Sequence, residues 1–280
     1  MTTRIWMSLC LLLAFFNSSA FAMVSTREVE YRSGETVLKG YLADNPALKG
    51  NRPAVLVVHE WWGLNDYARK RARDLAELGY VAFAVDMFGD GKTAQHPDDA
   101  GKFAGEVMKN KHVAEARFNA ALEYIKKQSA VDPKRIAAIG YCFGGGVVLH
   151  MARQGADLKG VVSFHGSLAT DTPAQQGAVK ARILVFNGEA DKMVPPEQVA
   201  AFKEEMTKAG ASFRYVGFPG VMHSFTNPDA DKYAARFKLP LAYNSNADQT
   251  SWAETKKFLQ SVFSVSKNGR TPDRRGVLLG

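Results

Sequence analysis

The five residues Gly140-Tyr141-Cys142-Phe143-Gly144 set one thiol between glycines, directly after the apolar run "RIAAIG" and just before "GGGVVLHMARQ". Strand, tight turn and helix around G-x-nucleophile-x-G is the pattern of a nucleophile elbow. The attacking residue there sits at strained backbone angles, and the neighbouring chain comes too close for side chains. A buried free cysteine is the competing account, since cysteine often packs as a small apolar group; the glycines and their setting favour the elbow. The adjoining helix N-terminus would favour a thiolate through its dipole and free N–H groups. The Phe143 N–H would then be available to a developing oxyanion.

A nucleophile needs a base, and the base needs an orienting partner. In an elbow the chain order is nucleophile, acid, histidine. Asp191, in "FNGEADKMVPPEQ", follows one apolar run, and His223, in "FPGVMHSF", follows the next. A turn or capping aspartate and a loop histidine are the ordinary alternatives. Of the other histidines, His96, His112 and His150 read as structural, whereas His59 and His165 end apolar runs and read as pocket lining. Glu60, in "VVHEWWG", closes a buried run with a carboxylate, which is costly unless paired or near water. It is either a solvated loop residue or a site residue facing the thiol beneath an aromatic wall of Trp61 and Trp62. "GDGKT" ends like a phosphate-binding loop, but that pattern needs glycine at the position Asp86 occupies. No His/Cys cluster has metal-ligand spacing, so no metal is expected.

These residues all fall where predicted strands stop. "VEYRSGETVLKGYLA" alternates around Ser33-Gly34 as an antiparallel hairpin. "PAVLVVHE", "YVAFAVDMF", "RIAAIGY", "KGVVSFHG" and "ARILVFNG" are short continuous apolar runs, as expected of parallel strands buried on both faces. "SFRYVGFPG" adds another strand. Between them lie helical patterns: "NDYARKRARDLAELG" with Asn65 as cap, "HVAEARFNAALEYIKKQ", and "PPEQVAAFKEEMTKAG". "DQTSWAETKKFLQSVF" closes the domain, with Trp252, Phe258 and Leu259 toward the sheet. The class is α/β, with a mostly parallel central sheet, and ligands in such sheets bind beyond the strands' carboxyl ends. Residues 89–110 are the expected lid or pocket wall.

The 280-residue chain carries a net charge of +8, but its basic residues are scattered, which indicates a solvated surface rather than a nucleic-acid footprint. It opens with Arg4, an apolar run from Ile5 to Phe16, and small residues ending Ala20-Phe21-Ala22. That is the plan of a secretory signal peptide cleaved after Ala22, and the run is short of the ~20 residues a membrane span needs. Cleavage would remove Cys10, leave Cys142 without an intrachain disulfide partner, and send the protein to the periplasm or outside the cell with no stable membrane insertion. Residues 264–280 read as a disordered tail.

In order and interval, "HEWWG", "GYCFGG", "GEADKMVP" and "GVMHSF" resemble the dienelactone hydrolase family, from about Glu28 to Phe263. The resemblance implies an α/β-hydrolase fold, a monomer, no cofactor, and hydrolysis of a small-molecule ester or lactone through a thioester acyl-enzyme. By motif, Cys142 would be the nucleophile, His223 the base that then serves as acid, and Asp191 its orienting partner. Trp61 and Phe143 N–H groups would form the oxyanion hole. Glu60 would hold the resting thiol by a hydrogen bond until substrate displaces it. Trp62, Lys102, His165, Ser224, Phe225, Asn227 and Tyr243 are the candidate substrate contacts. Family members acting on dienelactones bind the substrate carboxylate with arginines; here Thr226 or Asn227 and Lys102 occupy those stretches, which extends the expected substrate to neutral or weakly acidic esters. A peptide or thioester acyl hydrolase with the same three residues, and a non-catalytic binding protein on a hydrolase scaffold, are the competing readings.

Overall fold

The computed structural model describes residues 24–264; the expected leader, and the expected tail beyond Ser264, lie outside them. The chain begins with the hairpin β1 (Ser25–Ser33) and β2 (Thr36–Asp44), closed at Gly34, whose φ of +57° suits a residue without a side chain. The elements β3 (Arg52–Val58), α1 (Asp66–Glu77), β4 (Val81–Val85), α2 (Pro97–Lys109), α3 (Lys111–Lys126) and β5 (Val131–Tyr141) follow. Then come α4 (Phe143–Arg153), β6 (Gly160–Phe164), β7 (Arg182–Gly188), α5 (Pro196–Lys208), β8 (Phe213–Phe218), α6 (Ala230–Phe237) and α7 (Ser245–Phe263). The strands form one eight-stranded sheet in the order β1-β2-β4-β3-β5-β6-β7-β8. The pairs β1–β2 and β2–β4 are antiparallel and all others parallel. This is the expected α/β-hydrolase architecture with its N-terminal hairpin.

Continuous apolar strands follow from helices covering both faces. Leu56 and Val58 point into a core shared with Phe118 of α3 and Val147 of α4, while Val55 and Val57 point into one shared with Leu75 of α1 and Leu259 of α7. Trp252 and Phe258 are partly buried against the second core, as the sequence predicts. Burying such side chains contributes roughly 1.5–3 kcal/mol each, which holds the strands in register. The register brings the strand ends to one edge: Val58 pairs with Gly140, Tyr141 with Phe164, Phe164 with Phe186, and Gly188 with Phe218. Glu60, Cys142, Asp191 and His223 each follow one of these ends.

Helix α1 starts as its sequence indicates, with Asn65 Oδ1 accepting the Ala68 N–H. Two helices do not announce themselves. In α2, Gly101 and Gly105 each cost about 1 kcal/mol of helix propensity, yet Ala100, Phe103 and Val107 pack inward and His96 caps the first turn. Residues 89–110 are thus largely an ordered helix. Helix α6 spans eight residues, too few for a readable periodicity, and sets Tyr233 on Trp62. Asp86 explains why "GDGKT" is no phosphate loop: its carboxylate accepts the N–H groups of Lys39, Phe88, Gly89 and Gly91, pinning that loop to the hairpin.

Candidate active site

Cys142 follows β5 directly and precedes α4, with φ 52° and ψ −115°. The glycines around it are sterically required. A Cβ on Gly140 would lie 2.1 Å from the Gly144 carbonyl oxygen, and one on Gly144 would lie 2.3 Å from that of Val58. Backbone bonds lock the turn: the Cys142 N–H is shared between Phe164 O at 3.0 Å and His165 Nδ1 at 3.2 Å, and the Gly144 N–H donates to His59 O at 3.1 Å. Cys142 is a free, half-buried thiol.

His223 and Asp191 meet across the loops after β8 and β7. His223 Nδ1 donates to Asp191 Oδ2 at 2.7 Å, and Asp191 Oδ1 accepts the Met193 N–H at 2.8 Å. Both side chains are buried. His223 Nε2 is buried too, and among the described residues it makes no hydrogen bond. Burial pushes the His223 pKa down, but its coulombic interaction with Cys142 and the bond to Asp191 outweigh it and raise it to about 10.

Cys142 and His223 line one cavity of about 230 Å³, together with Trp61 and Phe143. Ala104, from the expected pocket wall 89–110, and Ser167, Met193, Val194 and Leu241, which the sequence does not single out, complete its walls. Leu241 is placed by bridging to His223, with the Ala242 N–H on His223 O. Among the described residues the N–H groups of Trp61 and Phe143 have no acceptor, so both remain available to an oxygen in the cavity.

The remaining expected residues divide. Glu60 is fully buried, but its oxygens accept from Ser224 Oγ at 2.9 Å and Asn227 Nδ2 at 2.5 Å. The expected thiol bond to Glu60 is therefore not formed in the described contacts, because Ser224 and Asn227 engage the carboxylate instead. Burial raises the Glu60 pKa against those two bonds. Ser224 and Asn227 thus hold Glu60 rather than line the cavity.

His165 lies beneath Cys142, buried, with Nε2 bonded to Thr226 Oγ1 at 2.8 Å. Burial and the nearby charge of His223 hold its pKa well below the usual value. Trp62, expected as a substrate contact, does not line the cavity: it stacks on Tyr233, with ring centroids 4.4 Å apart. Lys102 is exposed on the outer face of α2, Phe225 is buried against Phe218 and His165, and the Tyr243 hydroxyl donates to Asp248. None of these three reaches the cavity. Sequence reasoning also missed Arg71, a buried cation bonded to Tyr67, Thr226 O and Asp248. The only sequence signal was an arginine on the inward face of α1.

The model of the dienelactone hydrolase family matches residues 38–263. The chain belongs to that family. This dienelactone hydrolase family member is accordingly a hydrolase of ester or lactone bonds. It is 31% identical over 204 residues to Protein usf of Aquifex pyrophilus, covering 71% of this chain and 86% of that one. A relative from Aquifex aeolicus with carboxymethylenebutenolidase in its name is 32% identical over the same shares. Among solved structures, a dienelactone hydrolase-like promiscuous phosphotriesterase from metagenomic libraries superposes with a TM-score of 0.82 at 32% identity, covering 86% of this chain and 99% of that one. A Thermogutta terrifontis esterase, at 19% identity and a TM-score of 0.60, shares the fold.

Proposed function

We propose that this family member hydrolyses an uncharged carboxylic ester or lactone through a thioester on Cys142, with His223 as base and acid and Asp191 orienting it. The observation that carries the reading is a single cavity flanked by Cys142 at φ 52° and by His223, whose Nδ1 is committed to Asp191 while Nε2 is uncommitted. The Cys142 thiol gives its proton to His223 Nε2, and the sulfur attacks the carbonyl carbon. The oxyanion takes hydrogen bonds from the Trp61 and Phe143 N–H groups. As the carbon–oxygen bond to the alcohol breaks, His223 returns the proton to the leaving oxygen. Water then loses a proton to His223 Nε2 and attacks the thioester; the carbon–sulfur bond breaks and the sulfur regains the proton. Acid and alcohol are released and the enzyme is restored; in a lactone they stay joined in one molecule.

The walls support an uncharged acyl group. Trp61, Ala104, Phe143, Val194 and Leu241 are apolar, and no lysine or arginine lines the cavity. A substrate carboxylate there would be desolvated without a cation, at a cost of several kcal/mol. Intact-mass analysis after exposure to an activated ester tests the chemistry. The expected result is one acyl group on Cys142 in wild type and none in Cys142→Ala; acylation elsewhere, or none, overturns it. A matched pair of lactones, one bearing a carboxylate and one its methyl ester, tests the preference, the ester being the better substrate. We also propose export with cleavage after Ala22, which N-terminal sequencing of the mature protein checks.

A further inference from the structure

His59, buried at the end of β3, takes no part in the steps above, yet its ring is bonded through both nitrogens. Nδ1 lies 2.5 Å from the Glu60 carbonyl oxygen, which can only accept, so Nδ1 carries the proton. Nε2 lies 3.2 Å from the Met87 backbone N–H, which can only donate, so Nε2 carries none. One neutral tautomer satisfies both neighbours. Burial holds the ring's pKa down, in the same direction.

The carbonyl that His59 grips belongs to the same peptide unit as the Trp61 N–H. In a planar trans peptide the C=O and N–H point opposite ways. A second donor, the Gly63 N–H at 3.2 Å, fixes the Glu60 oxygen from the next turn. With the oxygen held on that side, the Trp61 N–H is turned the other way, where it meets no acceptor and where Trp61 lines the cavity. His59 also ties down the second donor. Its own carbonyl accepts the Gly144 N–H at 3.1 Å, and its ring stacks on that of Phe143 with centroids 5.7 Å apart.

We infer that His59 is a positioning residue for the oxyanion hole: its neutral imidazole sets the Glu60–Trp61 peptide plane, and so aims the Trp61 N–H at the oxygen of the reacting carbonyl. The inference rests on the thioester reading, and goes beyond it by assigning the orientation of the hole to a side chain that touches neither substrate nor nucleophile.

Two reactions at the same sulfur separate this role from a merely structural one. Acylation by p-nitrophenyl acetate builds an oxyanion; alkylation by chloroacetamide displaces chloride and builds none in the hole. Both are followed by the mass increment at Cys142. His59→Leu, which cannot donate, is expected to slow acylation by about 10–100-fold, below the roughly 10²–10³-fold loss of a deleted donor. Alkylation should stay within about threefold, since it depends on the sulfur alone. His59→Asn, whose side-chain amide can present an N–H close to the place of Nδ1, should recover most of the acylation rate. Should the leucine variant not fold, His59→Gln, whose longer amide reaches past that place, stands in for it. Unchanged acylation, parallel loss of acylation and alkylation, or an asparagine variant as slow as its partner variant would each overturn the assignment. All three leave acylation of wild-type Cys142 intact, whereas its absence in wild type would remove the thioester reading as well.

Discussion

His223 and His165 lie side by side, with ring centroids 5.1 Å apart, and both are almost wholly buried. His165 spends both nitrogens on protein: Nδ1 accepts the Cys142 N–H and Nε2 meets Thr226 Oγ1. His223 spends one, on Asp191, and keeps Nε2 uncommitted beside the cavity. Burial disfavours the charged form of each, but only His223 has a carboxylate bonded to it and a coulombic interaction with Cys142 to offset that cost. The pair separates two uses of a buried histidine. A ring satisfied on both sides fixes a turn in one tautomer; a ring satisfied on one side, with negative charge around it, can exchange a proton.

Swapping the two roles gives the sharpest way to break this comparison. His223→Gln removes the exchangeable nitrogen, so acylation of Cys142 should fall by about 10⁴-fold in single-turnover kinetics, while the denaturant midpoint moves little. Asp191→Asn should cost a comparable ~10⁴-fold, because the imidazole survives but loses the partner that fixes its tautomer. If either variant acylates at the wild-type rate, the proton-transfer role belongs to another group.

Much of this site was legible because strands end abruptly in sequence. Cys142 amid glycines, Asp191 after β7 and His223 after β8 each follow a continuous apolar run, and the parallel register then aligns those ends automatically. What stayed hidden depends on side-chain direction and on loops. Trp61 and Trp62 are neighbours of the same type, yet one lines the cavity and the other stacks on Tyr233, a residue of a helix too short to foresee. Leu241 and Met193 come from irregular segments whose placement is set by a bridge to His223 and an N–H bond to Asp191. Glu60 was visible as an unusual buried carboxylate, but its partners were not: Asn227 sits 167 residues away in the chain.

The other half of the comparison predicts stability rather than rate. Thr226→Val keeps shape but removes the hydroxyl that meets both His165 Nε2 and the Tyr67 hydroxyl, at 2.8 and 2.6 Å. Leaving those buried groups unpaired should cost about 1–3 kcal/mol. Urea denaturation measures it, and acylation should stay within about threefold because Cys142 N–H retains its bond to Phe164 O. A large loss of rate with no loss of stability would show that the doubly bonded histidine acts in the chemistry after all.

The smallest expected effect concerns pH. The His223 pKa is raised from 6.5 to about 10 against burial, and the largest cause acting upward is the charge of Cys142. A group that binds its proton more tightly when folded adds stability that is full below about 6.5 and lost as pH rises to about 10, since only the folded state holds the proton in between. Asp191 also acts on His223 in that direction, while His165 beside it stays neutral. Asp191→Asn removes the carboxylate but leaves Cys142, so the upward shift shrinks without vanishing. Urea denaturation of wild type and Asp191→Asn should therefore show wild-type stability declining more steeply between pH 6.5 and 10. Parallel curves across that interval would mean that His223 does not draw its proton affinity from Asp191, the carboxylate that sets it apart from His165.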